Sequence, residues 1–281
     1  MPKITETLKK ATEILQSSGI AEPRREANSL LAFAIAKSKT FLIAHSEYEL
    51  TAEEEINFQT ALQRRARREP LQYITGRQEF YGLDFIVTPD VLIPRPETEM
   101  IVENSLEILK PRENSRFCEI GVGSGCISVA ILHNVSTSSA VGLEVSEKAL
   151  KIAKLNAQKH QVSARLDLKI SDVFSRLTGE KFDLIVSNPP YIPRRDIENL
   201  QAEVRDFEPL NALTDGGEGL SIVEKIITDA PKFLKPRGFL LIEIGFGQAE
   251  DVKQMFDAKI WQSVEILPDL QGIPRMVKAR A

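Results

Sequence analysis

Ser187-Asn188-Pro189-Pro190-Tyr191 closes an apolar run, FDLIV, and leaves it through an amide, two prolines and an aromatic ring. Asn-Pro by itself ends strands in many proteins. The second proline and the tyrosine are more than a turn needs. Proline fixes φ and has no N–H, so the loop offers mainly carbonyl acceptors in a stiff frame. The side-chain carbonyl of Asn188 adds an acceptor, and Tyr191 adds a flat face. That set suits a planar –NH2 group, with an acceptor for each hydrogen and a ring against its plane.

Three other groups occupy comparable places. Gly121-Val122-Gly123-Ser124-Gly125 follows the apolar run RFCEI and opens a helical stretch. Glycines there let a ligand approach the backbone, and a helix start offers free N–H groups. A nicotinamide-binding fingerprint would read G-x-G-x-x-G, and here the third glycine comes one residue early. Glu144 ends the run AVGLE, where a carboxylate can accept two hydrogen bonds from a ribose diol. Asp172, followed by Val173, repeats that placement in ISDVF. Each alone reads equally as a tight turn or a solvated strand-end acid. Together they sit at the carboxyl ends of successive strands, where open α/β sheets bind ligands. The Asn-Pro-Pro-Tyr loop, ending the fourth strand, then faces the glycine loop across one crevice.

The elements that must hold these groups divide the chain. Residues 1–75 read as a helical bundle: Pro23 suits a first helical position, and Thr51-Ala52-Glu53-Glu54 is a capping-box sequence. Pro70 is expected to end the helix that box begins. Residues 76–96 alternate around Gly82 as a β-hairpin linker. Over residues 97–281 strands alternate with helices, which implies a mainly parallel sheet covered on both faces. The tail adds two strands close together in sequence.

The remaining candidates carry less. His45, His133 and His160 lack metal-ligand spacing, Cys118 and Cys126 are too few for a zinc site, and no metal is expected. Arg64-Arg65-Ala66-Arg67-Arg68 is a basic cluster that reads as a solvated face or a contact for an acidic partner. A net charge of −4 over 281 residues argues against a protein that clamps duplex DNA. No apolar run reaches the roughly 18 residues of a membrane span. The first residues lack the apolar core of a signal peptide, and the cysteine usage fits a reducing, cytoplasmic compartment.

In this order EIGVGSG, GLEVSEKAL, SDVF and NPPY resemble a class I S-adenosylmethionine-dependent methyltransferase. RREPLQYITG, VLIPRPETE, SNPPYI, FEPLNALTDGGEGL and IEIGFGQ narrow the resemblance to the release factor glutamine methyltransferase family (PrmC/HemK), from about residue 20 to the end. The resemblance implies a Rossmann-like methyltransferase sheet; the N-terminal bundle, without cysteine or a glycine-rich loop, reads by itself as a module that docks the substrate protein. The implied reaction methylates the glutamine side-chain amide in the Gly-Gly-Gln motif of class I peptide chain release factors, in the cytoplasm. It implies that Gly121 to Gly125 border the methionine part of S-adenosylmethionine, that Glu144 holds the ribose, and that Asp172 and Val173 bound the adenine. It implies also that Asn188, Pro189, Pro190 and Tyr191 grip the glutamine amide, with Asn188 bordering the cofactor too. Glu144 stands where many relatives have Asp, and Val173 where an aromatic is common. Two alternatives stay open: a DNA adenine amino-methyltransferase, whose target is also a planar amino group, and an idle binding protein on the same scaffold.

Overall fold

Pro23 and Thr51 begin helices in the computed structural model, which describes residues Met1–Ala281. The chain forms two compact units, one of Met1–Arg77 with Gln201–Phe207 and one of Gln78–Leu200 with Glu208–Ala281.

The smaller unit contains Ile4–Ser17 (α1), Pro23–Ala34 (α2), Lys39–Ala44 (α3), Ala52–Ala66 (α4) and Leu71–Thr75 (α5). In α1 the buried residues Ile4, Thr7, Ala11 and Leu15 recur at helical spacing, and Ile4, Ala11 and Leu15 meet Leu30, Leu31 and Phe58 in one core. The capping box is complete: Glu54 N–H donates to Thr51 Oγ1 (3.2 Å), and Thr51 N–H donates to the Glu54 carboxylate (2.8 Å). Pro70 does not end α4. That helix stops at Ala66, Arg68 turns left-handed (φ +73°), and Pro70 stands at the start of α5.

Next come Arg77–Phe80 (β1) and Leu83–Ile86 (β2), joined by Tyr81-Gly82, which from Gln78 onward belong to the larger unit. Both turn residues have positive φ, the pair that matches a two-residue turn to strand twist. The hairpin therefore ends ten residues earlier than its sequence pattern suggests, and residues 87–95 run without regular structure. Nor is it a free linker. Phe80 and Phe85 are buried with Ile101, Val102 and Leu106, and the Asn156 side chain both accepts from Ile86 N–H (2.7 Å) and donates to Ile86 C=O (2.9 Å).

Then follow Glu99–Leu109 (α6), Arg116–Ile120 (β3), Cys126–Asn134 (α7), Ser139–Glu144 (β4), Glu147–Lys159 (α8), Leu166–Ile170 (β5) and Phe182–Ser187 (β6). After Ala202–Phe207 (α9), which packs in the smaller unit, come Leu210–Leu213 (α10), Ser221–Asp229 (α11), Leu234–Glu243 (β7), Ala249–Gln254 (α12), Ser263–Pro268 (β8) and Pro274–Arg280 (β9). The seven strands lie in the order β5-β4-β3-β6-β7-β9-β8. All neighbours are parallel except that β9 runs against β7 and β8. Alternate residues feed two cores: Phe117, Leu184 and Leu241 face α6 and α7, while Cys118, Ile185 and Leu240 share the other core with α11 and α12 residues. Both faces of the central strands are covered, so β3, β4, β6 and the end of β7 read as near-continuous apolar runs, whereas the edge strand β5 carries Asp167 and Lys169. Progress across the sheet reverses between β3 and β6, where Ile120 pairs with Ser187. The site sits at that reversal.

Candidate active site

A cavity of 370 Å³ opens at the carboxyl ends of these strands. Its walls include Gly121 to Ser124, Glu144, Asp172, Val173, Asn188, Pro189 and Pro190, so the structure gathers most of the residues singled out from sequence. Gly125 and Tyr191 are not on the wall. Gly125 lies one residue behind it at φ +82°, where a Cβ would come within 3.3 Å of Ala153 in α8. It lets the helices approach.

The glycine loop and Glu144 form one assembly. Gly121 N–H donates to the Leu143 carbonyl (2.8 Å), and Gly123 N–H to one oxygen of Glu144 (3.0 Å). The other Glu144 oxygen accepts from Ser146 N–H (2.9 Å), and Ser146 caps α8 through Ala149 N–H (3.2 Å). A carboxylate oxygen has about two acceptor positions, so each keeps one free. Behind them Glu119, 1% exposed, accepts from the backbone and hydroxyl of Ser128 and braces the start of α7. Burial pushes its carboxyl up to about 8, against the pull of the Ser128 bonds and with a smaller push from Glu144. Asp172 pairs with Lys225 (2.9 Å). Val173 is buried at φ +48°, an uncommon conformation for a β-branched residue, held by the Ser171 hydroxyl on its carbonyl (2.8 Å).

The Asn-Pro-Pro-Tyr loop is held from three sides. Asn188 Nδ2 donates to the Thr98 hydroxyl (3.0 Å), which donates to Glu243 (2.7 Å). The Tyr191 hydroxyl donates to the other oxygen of Glu243 (3.1 Å), and Gln248 Nε2 donates to the Tyr191 carbonyl (2.9 Å). On the third side Ile192 N–H donates to Leu213 C=O (2.9 Å) and Arg194 N–H to Gly217 C=O (2.8 Å). Asp215 organises that side by accepting from Gly217, Gly219 and Ser221 N–H and from the Ser221 hydroxyl. Partial burial opposes its ionisation, but those four bonds hold the carboxyl down to about 2. The opposite rim is residues 90–95, tied to the 209–215 wall where buried Glu208 pairs with Arg95 (2.6 Å) and accepts from Ile93 N–H (3.3 Å).

Thr98, Arg95, Glu208, Asp215, Glu243 and Gln248 were not singled out by sequence reasoning. Glu119 and Glu243 did carry a signal: each is an acid at the end of an otherwise apolar strand, a residue type almost never fully buried without partners. The arginine cluster is largely committed within the smaller unit. Arg64 pairs with Glu69 (2.5 Å), Arg65 with Glu26 and Glu203 (3.0 Å to the latter), and Arg68 with Glu203 (2.8 Å), which leaves Arg67 exposed without an ion pair. It is not a free basic face. Both cysteines are buried, which pushes Cys126 up to about 12 and Cys118 up as well, so neither is a reactive thiol.

Comparison with known proteins is consistent along the chain. The PrmC N-terminal domain family matches residues 6–76, and the methyltransferase small domain family matches residues 102–218. The release factor glutamine methyltransferase of Geobacter sulfurreducens is 43% identical, over 95% of this chain and 92% of its own. That of Koribacter versatilis is 39% identical, over 96% and 95%. Among solved structures a methyltransferase from Pyrococcus furiosus (TM-score 0.53, 19% identity, 72% of this chain and 89% of that one) shares the fold. The human Mettl16 catalytic domain does so too (TM-score 0.58, 18% identity, 81% of each chain). No helix is long and apolar enough to cross a membrane.

Proposed function

The chain belongs to the release factor glutamine methyltransferase family, and from that membership we propose how its own residues carry the reaction. It is an S-adenosylmethionine-dependent enzyme that methylates the side-chain amide nitrogen of a release-factor glutamine. The glutamine is that of the Gly-Gly-Gln motif in class I release factors, met in the cytoplasm, and the smaller helical unit docks the factor. The DNA adenine alternative is not favoured by these relatives.

The cavity fits the cofactor. Glu144 keeps a free acceptor on each oxygen for the ribose hydroxyls, and the Gly121–Ser124 backbone lines the wall without side-chain bulk at Gly121 and Gly123. Asp172 and Val173 border the adenine, and Gly121 to Gly125 shape the methionine end. When bound, S-adenosylmethionine supplies a methyl group activated by its sulfonium. The rest falls to this chain, because an amide lone pair is delocalised into its carbonyl and makes a poor nucleophile.

Asn188 carries the reading. Its Nδ2 is engaged by Thr98, so Oδ1 is the end left to meet a substrate. Oδ1 and the Pro189 carbonyl accept the two amide hydrogens of the glutamine and hold its nitrogen in line with the methyl. Positioning of this kind lowers barriers by several kcal/mol, up to roughly 7–11 in the best cases. As bonding grows, positive charge develops on that nitrogen, and the same two carbonyl dipoles stabilise it. Tyr191 and Pro190 keep the frame stiff, and the amide sheds its proton to water. The test is mass spectrometry of a purified release factor after incubation with enzyme and S-adenosylmethionine. A single methyl on the Gly-Gly-Gln glutamine is expected. An unmodified factor, with methyl appearing instead on a DNA oligonucleotide, overturns the reading.

A further inference from the structure

Glu243 is an anomaly in a sheet centre. It is 3% exposed, it makes no ion pair, and both its hydrogen bonds come from neutral hydroxyls, those of Thr98 and Tyr191. A carboxylate buried this way is costly to desolvate, and packing gives no reason to place one here. We propose that Glu243 is a positioning residue that, through the Thr98 hydroxyl, dictates which end of the Asn188 amide faces the cavity. This rests on the reading that Asn188 accepts from the glutamine amide.

The argument is one of hydrogen-bond direction. An ionised carboxylate only accepts, so Thr98 and Tyr191 must both donate to it. Thr98 has a single hydroxyl proton, and Glu243 takes it. Toward its other neighbour the Thr98 oxygen can then only accept, which selects the NH2 end of Asn188 and turns Oδ1 away. The distinction is needed because an amide is nearly isosteric under a half-turn. A flipped Asn188 would set its own NH2 against the substrate NH2 and leave two donors facing. Thr98 alone cannot prevent that, since a hydroxyl with a free proton donates to a carbonyl as readily as it accepts from an amide. The acceptor-only carboxylate removes the ambiguity. Thr98 itself is 2% exposed, so water does not compete for its lone pairs.

Tyr191 completes the device. Burial raises its hydroxyl's pKa, Glu243 raises it further, and Arg275 and Arg95 oppose weakly, so it remains a donor throughout the working range. The carboxyl of Glu243 is itself pushed up to about 7 by burial, with Glu97 raising it and Thr98, Tyr191 and Arg275 pulling it down. Cys126, the titratable group facing it from α7, stays a neutral thiol. Once protonated, Glu243 can donate to Thr98, Thr98 can donate to Asn188, and the amide loses its preferred orientation. Protonation therefore disorients Asn188, and turnover rises with pH through about 7.

The experiment compares Glu243→Gln, Thr98→Val and Thr98→Ser in methyl transfer to a purified release factor, with S-adenosylmethionine saturating. Glutamine can turn either its oxygen or its NH2 toward Thr98, so Glu243→Gln keeps the shape and no longer enforces the direction. Its kcat is expected to fall on the order of 10–100-fold, the loss usual when a hydrogen-bond partner that orients a metal-ligating side chain is removed. Thr98→Val should fall equally and Thr98→Ser should retain wild-type turnover, while cofactor Kd stays unchanged in all three. The double variant should be no worse than Glu243→Gln, and the rise of wild-type kcat through neutral pH should be absent in Thr98→Val. Wild-type kcat in Glu243→Gln overturns the proposal, as does a loss in Thr98→Ser equal to that in Thr98→Val. Should Glu243→Gln fail to fold, the valine–serine pair and the pH profile decide. A wild-type enzyme inert toward release factor removes the premise instead, which is a different outcome.

Discussion

Gly219 touches no ligand wall, yet substituting it should damage turnover more than most changes inside the cavity. At φ +77° an added Cβ would lie 2.0 Å from the Tyr191 carbonyl oxygen, 2.5 Å from its carbon and 3.1 Å from the Ile192 carbonyl carbon. These are backbone atoms, so no side chain can swing aside. Ordinary contact begins near 3.4 Å, and the two segments must therefore separate by about 1.4 Å. Tyr191 C=O is also held by Gln248 Nε2 (2.9 Å), and Gly219 N–H by Asp215 (2.9 Å), so one of those bonds stretches as well. Pro189 and Pro190 connect Tyr191 stiffly to Asn188, which passes the shift to the amide. A misplacement near 1 Å can cost about 10²-fold in rate, and that is the expected fall in kcat for Gly219→Ala. Stability should fall by about 2–4 kcal/mol, from left-handed strain together with overpacking. Cofactor affinity should change little, because the glycine loop and Glu144 hang on β3 and β4. Gly216→Ala is the control: φ there is +85° with nothing within 4 Å, so it incurs the strain without the collision. Steady-state methyl transfer at saturating cofactor, with a thermal melt, measures both. Equal kcat in the two variants refutes the reasoning.

Asn188→Ala should lower kcat on the order of 10²–10³-fold with a much smaller change in cofactor affinity, read by methyl transfer beside calorimetry. Near-normal turnover contradicts the amide grip. Glu144→Ala should weaken cofactor binding by about 1.5–3 kcal/mol, and Glu144→Asp only mildly; unchanged calorimetric affinity for the alanine variant removes the ribose role. Glu203→Ala leaves Arg65, 5% exposed, with Glu26 as its one carboxylate partner and takes from Arg68 its acid. The smaller unit should lose about 1–3 kcal/mol in denaturant melts, and a loss within error shows that Gln201–Phe207 is not held by that acid.

What could be read without coordinates was local or periodic. The central strands RFCEI, AVGLE, FDLIVS and FLLIE are near-continuous apolar runs because both sheet faces are covered there, and such runs are visible in one dimension. Thr51 and Glu54 stand three residues apart, so their reciprocal bonds follow from helix geometry alone. The glycine loop, Glu144, Asp172 and Asn188 were legible because a parallel sheet delivers strand ends to one edge whatever else the chain does. Where local signals were misread, a long-range contact decided. The pattern of 76–96 continued as a hairpin, but the chain leaves the ladder after Ile86, and Asn156, distant in sequence, takes up that residue's backbone groups. The arginine run looked available until Glu26 and Glu203 were brought against it. Thr98, Asn188, Tyr191 and Glu243 come from three segments, and no spacing rule relates them. Their alliance arises because buried polar groups must find partners among whatever the fold places nearby, and hydrogen-bond direction then passes from one to the next. Residue type determined which atoms could do chemistry, and tertiary packing decided which way the amide points.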